Sequence, residues 1–155
     1  MRFLPAREQP FKAAHVATPA QRAEMLELAI RGNPRFVVDR SELELPAPSY
    51  TVVTLRRLAV REPGNRFALL VGADAVRELP DWFEAAALPE LADIVAFARP
   101  GAPPPSHRLI REVIEVPAIA LSATDVRARV ARGQSVRYLV PDAVRDYIGT
   151  EGLYR

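Results

Sequence analysis

The chain has 155 residues, 49% of them hydrophobic, a net charge of +2 and no cysteine. That is enough for one domain, spanning residues 1–155, with a substantial core, and too little for two of ordinary size. Disulfides, thiolate catalysis and cysteine-ligated zinc are excluded, and two histidines, His15 and His107, are a poor basis for a metal site. No apolar run approaches the roughly 20 residues of a membrane-crossing helix, and the start has no charged-then-apolar pattern, so the expectation is a cytoplasmic protein without a membrane partner. Lys12 is the only lysine among 21 basic residues, and arginine's planar fork suits phosphate. The arginines form no dense stripe interleaved with aromatics, which argues against nucleic acid.

Arg2-Phe3-Leu4-Pro5-Ala6 reads as a strand running into a loop through Pro10, Phe11 and Lys12. Thr18-Pro19-Ala20-Gln21 supplies an N-cap, a proline at the first helical position and a reciprocal glutamine, so a helix begins there. Met25, Leu26, Leu28, Ala29 and Ile30 form its apolar side, and Gly32 with Pro34 ends it. Phe36-Val37-Val38 predicts a strand, and Glu42-Leu43-Glu44-Leu45 an extended continuation. Ser49 is placed to cap a helix over residues 50–60, with Val52, Leu55, Leu58 and Ala59 inward. After the Pro63-Gly64-Asn65 turn, the apolar run Phe67 to Gly72 predicts a central strand covered on both faces.

Asp74 follows that strand at its carboxyl end, where open α/β sheets hold ligands. Asp81-Trp82-Phe83 opens a short helical piece toward Leu91, and Ile94 to Phe97 predicts a buried strand ending at Arg99-Pro100-Gly101. A further strand is expected within Val113 to Ala120, a helix from Thr124 to Gly133, and a last helix from Pro141 to Ile148. Alternating helices and apolar strands give a three-layer α/β sandwich with a mostly parallel sheet.

Leu121-Ser122-Ala123-Thr124-Asp125-Val126-Arg127 gathers two hydroxyls and an arginine at the start of a helix. With Thr124 as N-cap, the unpaired first-turn amides and Arg127 one turn along would receive an anion. The same residues also describe a capped surface helix with a solvated arginine. Asp74 has the alternative of a helix cap, and Trp82 that of a core anchor.

The order of the motifs resembles bacterial nicotinate-nucleotide adenylyltransferase across nearly the whole chain. The resemblance is carried by Ser49-Tyr50-Thr51 with Thr54-Leu55, Gly72-Ala73-Asp74, Trp82, Arg99-Pro100-Gly101, Leu121 to Arg127, Tyr138-Leu139-Val140-Pro141 and Gly152-Leu153-Tyr154-Arg155. It implies a Rossmann-like nucleotidyltransferase fold and a reaction joining nicotinate mononucleotide to the adenylyl group of ATP, with Mg²⁺, giving deamido-NAD and pyrophosphate. The family pattern ISSTxIR stands here as Leu121 to Arg127, with alanine for one serine.

The resemblance implies that Ser122, Thr124 and Arg127 meet the ATP phosphates and carry the catalysis. Asp74, beside Gly72, would accept from ribose hydroxyls, Arg99 would lie near the adenosine or phosphates, and Lys12 near the triphosphate. Trp82 would stack on the nicotinate ring, with Tyr50 and Thr51 beside it. The family's GGxFDPxHxGH segment has no counterpart here, and neither histidine stands in an HxGH pattern. The expectation is a feebly active chain with poor solubility or self-association through unpaired sheet edges; a start assigned too far downstream and a true truncation compete as explanations, and Met1 to Pro5, resembling the interior of the family's second strand, favours the first. Two rival readings are a non-catalytic nucleotide-binding remnant and the related pantetheine-phosphate adenylyltransferase; the Ser49-Tyr50-Thr51 segment and Trp82 disfavour the second.

Overall fold

The computed structural model describes residues 1–10, 17–98, 103–117 and 119–155. The chain divides into two compact units, Met1–Ser49 with Ala120–Arg155, and Tyr50–Ile119. Every pairing between named strands is parallel, and helices alternate with the strands, which is the α/β class expected from the sequence.

In the first unit β1 (Arg2–Phe3) pairs with β2 (Val37–Val38), Arg2 opposite Val37 and Phe3 opposite Val38. Phe3 meets Phe36 edge-on, with ring centroids 5.5 Å apart. Helix α1 (Pro19–Ile30) begins as its capping signal dictates: Thr18 Oγ1 accepts the Gln21 N–H at 3.2 Å, and Gln21 Oε1 accepts the Thr18 N–H at 3.0 Å. Ala23 is its buried residue, with Met25, Leu26, Leu28 and Ile30 half-buried. Ala29, expected inward, is exposed; six residues past Ala23 it lies about 120° around the helix from the buried line.

Arg22 fastens α1 to the segment leaving β1, its Nη2 donating to the carbonyls of Ala6 at 2.7 Å and Arg7 at 3.0 Å. Its Nε is buried without a partner among the described residues, and burial lowers the pKa of the guanidinium. The expected extension over Glu42–Leu45 is instead a 3-10 turn, Ser41–Glu44. Asp39 Oδ1 accepts the Ser41 N–H at 3.0 Å, which turns the backbone before it can continue a ladder. Helix α5 (Ala123–Ala131) ends near Gly133, whose φ of +67° suits a glycine past a helix end. Helix α6 (Asp142–Thr150) contributes Val144 and Ile148 to a buried cluster with Ala17 and Leu153; Met25, Leu28, Val130 and Tyr154 pack against it.

In the second unit the sheet order is β3 (Phe67–Gly72), β4 (Ala92–Ala98), β5 (Ile110–Glu115). The central strand is β4, with Ala92, Ile94, Val95, Ala96 and Ala98 buried. The run Phe67–Gly72, expected at the centre, is an edge: Ala68 and Leu70 face solvent while Phe67, Leu69 and Val71 turn inward. Pairing on one side and cover on one face leave half of an apolar run outside. Strand β5 starts before the expected Val113 because Ile110 pairs with Ile94, with a bulge before Glu112 opposite Val95.

Asp93 near the start of β4 is flanked by Arg66 at 3.2 Å and Arg111 at 3.4 Å, tying the three strands at their amino ends. Helix α2 (Thr51–Arg61) buries Val52, Thr54, Leu55 and Leu58 and packs on α4 (Leu88–Leu91), which lies against β4, while α3 (Ala73–Glu78) packs on β3 and β4. Ser49 does not cap α2: its Oγ accepts the Arg7 N–H at 2.9 Å, and Tyr50 holds the cap position without a side-chain bond. Among the described residues no helix is long and apolar enough to cross a membrane.

Ile148→Ala in the first unit's core is expected to cost about 2–5 kcal/mol in urea unfolding, against a change within about 0.5 kcal/mol for Val60→Ala, since Val60 is 83% exposed.

Candidate active site

The first turn of α5 is built by Ser122, not Thr124. Ser122 is extended (φ −121°, ψ 155°), and its Oγ accepts the Asp125 N–H at 3.1 Å while donating to Asp125 Oδ2 at 2.6 Å. Thr124 is already inside the helix, so its hydroxyl cannot cap; it accepts from Arg127 Nη2 at 3.1 Å. The Asp125 amide goes to the cap and the Val126 amide to the Ser122 carbonyl at 3.1 Å. The Ala123 and Thr124 amides are left at the positive end of the helix dipole. Ser122, Thr124 and Arg127 are all exposed within this one turn, where an anion meets two hydroxyls, free amides and a guanidinium.

Tyr154, with φ of +64°, adds a neighbour to which the sequence assigned no role at this site. Burial raises the pKa of its phenol, and the charges of Arg127 and Arg22 oppose that rise. No local pattern near Leu121–Arg127 signals this neighbour, which lies twenty-seven positions past Arg127 in the chain.

At the carboxyl end of β3, Gly72 is exposed, and a Cβ built on it would meet nothing within 4 Å. Its φ of −83° is open to any residue. Asp74 stands in the first turn of α3 but forms no cap bond; its carboxylate, 83% exposed, pairs with Arg77 one turn along. Parallel strands place this point at a ligand-accepting end of the sheet.

Tyr50 and Thr51, at the start of α2, and Trp82 are half-buried in the same unit. The Tyr50 ring lies on that of Phe83, centroids 4.6 Å apart and planes inclined by 33°. Phe83, immediately after Trp82, is a further residue to which the sequence assigned no functional role. Trp82 is neither fully buried, as a core anchor would be, nor free in solvent.

The structure thus groups Ser122, Thr124 and Arg127 in the first unit, and Gly72, Asp74, Tyr50, Thr51 and Trp82 in the second. Lys12, Arg99 and His15 lie outside the described residues. His107 is a turn residue, its Nδ1 accepting the Leu109 N–H at 3.3 Å. Among the described residues no group of three or more His, Cys, Asp or Glu side chains is arranged to hold a metal ion.

A family model described as cytidylyltransferase-like matches residues 1–129. A curated protein of Roseiflexus castenholzii, named "probable nicotinate-nucleotide adenylyltransferase", is 47% identical over 99% of this chain and 81% of its own length. Its namesake in Thermus thermophilus is 44% identical over 99% of this chain and 82% of its own. Among solved structures, the Plasmodium falciparum nicotinic acid mononucleotide adenylyltransferase complexed with NaAD shares the fold, with a TM-score of 0.73 at 15% identity, covering 99% of this chain and 81% of that one. The chain belongs to the cytidylyltransferase-like family and, within it, to the nicotinate-nucleotide adenylyltransferases.

Two measurements test the geometry itself. Ser122→Ala is expected to destabilise by about 1 kcal/mol through loss of the cap, and Thr124→Ala by less, in thermal or urea unfolding. The raised phenol pKa of Tyr154 means that its contribution to stability is complete below the ordinary tyrosine value of about 10 and is lost as pH rises through the folded-state value. Wild type should therefore lose more stability than Tyr154→Phe as the pH rises above about 10.

Proposed function

We propose that this chain transfers the adenylyl group of ATP to nicotinate mononucleotide, releasing pyrophosphate and forming deamido-NAD, and that residues 1–155 act as one nucleotidyltransferase domain in the cytoplasm. The observation that carries the reading is the first turn of α5, where Ser122, Thr124 and Arg127 surround unpaired amides in a member of this enzyme family. A phosphate group is an anion that such a turn can receive, and ATP supplies one.

In this reading a phosphate oxygen of the mononucleotide attacks the α-phosphorus of ATP, a new P–O bond forms, and the α–β bridging bond breaks with pyrophosphate leaving. Arg127 and the α5 amides hold the departing charge, and Ser122 and Thr124 fix its orientation. Asp74 accepts from the ribose diol, acceptor-only chemistry that suits two hydroxyls, and Gly72 lets the nucleotide approach the backbone closely. Trp82 stacks on the nicotinate ring, with Tyr50 and Thr51 lining the same pocket. Lys12 and Arg99 are assigned to ATP from the sequence pattern alone. Mg²⁺ would neutralise phosphate oxygens; with no carboxylate cluster to cage it among the described residues, it would be held through the substrate phosphates.

Calorimetry with MgATP and a pyrophosphate-release assay with nicotinate mononucleotide test the proposal. Arg127→Gln should weaken ATP binding about ten-fold or more, the scale of a hydrogen bond to a charged group. Gly72→Ala should leave the melting temperature unchanged or slightly raised, since a methyl group meets open space at an ordinary φ, yet weaken ATP binding. Unaltered ATP affinity in both variants would overturn the assignment of the phosphate and nucleotide sites.

A further inference from the structure

Trp82 sits in a turn whose geometry its own sequence does not favour. The Trp82 carbonyl accepts the Ala85 N–H at 3.1 Å, closing a four-residue turn over Phe83 and Glu84. Glu84 lies in the left-handed region, φ 49° and ψ 40°, where a turn of this kind ordinarily carries glycine or asparagine. A glutamate stays in that conformation only where its surroundings over-determine it. Two contacts do so, both from α2. The Tyr50 ring covers Phe83 at 4.6 Å, and Arg56, six residues further along the same helix, donates from Nη2 to Glu84 Oε2 at 2.5 Å.

We infer that Arg56 and Glu84 are positioning residues for substrate: with the Tyr50–Phe83 contact they clasp the Trp82 turn onto α2 and set the plane in which Trp82 meets the nicotinate ring. The inference rests on the reading of Trp82 as the nicotinate-stacking residue. The clasp has two unlike halves. The ring pair is apolar and fixes the turn sideways, whereas the ion pair is directional and fixes the backbone at Glu84. Both ionic partners are about half exposed, with side-chain exposures of 49% and 41%, so their pairing adds little to global stability and acts on the local geometry instead. The Arg56 hydrogen bond draws the Glu84 carboxyl below its ordinary pKa, so the pair is intact at neutral pH.

Trp82 is the only tryptophan in the chain, so its fluorescence reports this turn alone. In the full chain, Arg56→Met should raise the acrylamide quenching constant of Trp82 about two-fold while leaving the far-ultraviolet circular dichroism and melting temperature unchanged. Glu84→Gly separates two explanations: it removes the ion pair but supplies a residue at ease at φ 49°. Under the clasp it behaves as Arg56→Met does; if the backbone conformation alone sufficed, it would quench as wild type. The exchanged pair, Arg56→Glu with Glu84→Arg, should restore quenching to within about 1.5-fold of wild type. Affinity for nicotinate mononucleotide should fall about five-fold in Arg56→Met and recover in the exchange, with ATP affinity unchanged throughout.

Wild-type quenching in either single variant would overturn the clasp. Trp82→Ala, titrated calorimetrically with nicotinate mononucleotide, tests the parent reading separately. If that variant binds the mononucleotide normally, the stacking assignment fails, and the quenching series still decides whether the clasp exists.

Discussion

Parallel pairing of β3 with β4, from Phe67 opposite Ala92 to Gly72 opposite Phe97, is the constraint on which the second unit depends. Parallel strands cannot be joined by a tight turn; the chain must cross over and return, and each crossover must bury an apolar face on the sheet. Here the crossover between β3 and β4 is made by α3, two 3-10 turns and α4, and it carries Asp74, Trp82 and Glu84. The residues proposed to recognise nucleotide and nicotinate therefore belong to a connection whose length and direction are dictated by strand geometry. The Arg66–Asp93–Arg111 contacts hold the opposite end of the strands, leaving the carboxyl ends free for loops.

The first unit uses a different economy. Its two-residue strands offer little ladder, and the packing of α1, α6 and the chain end on Ala17, Val144, Ile148 and Leu153 holds it together. Arg22 adds a polar tie from α1 to the backbone after β1, and burial lowers the pKa of that guanidinium. The start of α5 stands on this base with its first turn exposed. Its Asp125 carboxylate, bonded to Ser122, already interacts with the positive end of the helix, so an incoming phosphate shares that end with a resident negative charge.

What was legible in the sequence was the local chemistry. The Thr18–Gln21 box set the start of α1 to the residue, because both partners lie within four positions of each other. The Leu121–Arg127 segment reads as a helix start, but two hydroxyls two residues apart can each serve as cap. The choice of Ser122 rests on the extended backbone leading into it, which no spacing reveals. The Phe67–Gly72 run announced a strand but not its place at the sheet edge, since an apolar sequence records what can be buried and not whether a neighbour comes to bury it. The Trp82–Ala85 turn was the least legible, because a left-handed glutamate has no sequence signature and is stabilised by Arg56, twenty-eight positions away.

The packing of Leu153 has a consequence for how the molecule breathes. Its side chain is 6% exposed, and its amide donates to the Ile148 carbonyl at 3.0 Å. Amides in turns outside helices and strands are ordinarily among the first to trade hydrogen with solvent, because opening them requires almost no loss of packing. Here opening the last turn means withdrawing a leucine from the cluster that also seats α1 and α6. The Leu153 amide should then exchange only when that cluster loosens as a whole, making a site in the turn after α6 a reporter of cooperative opening.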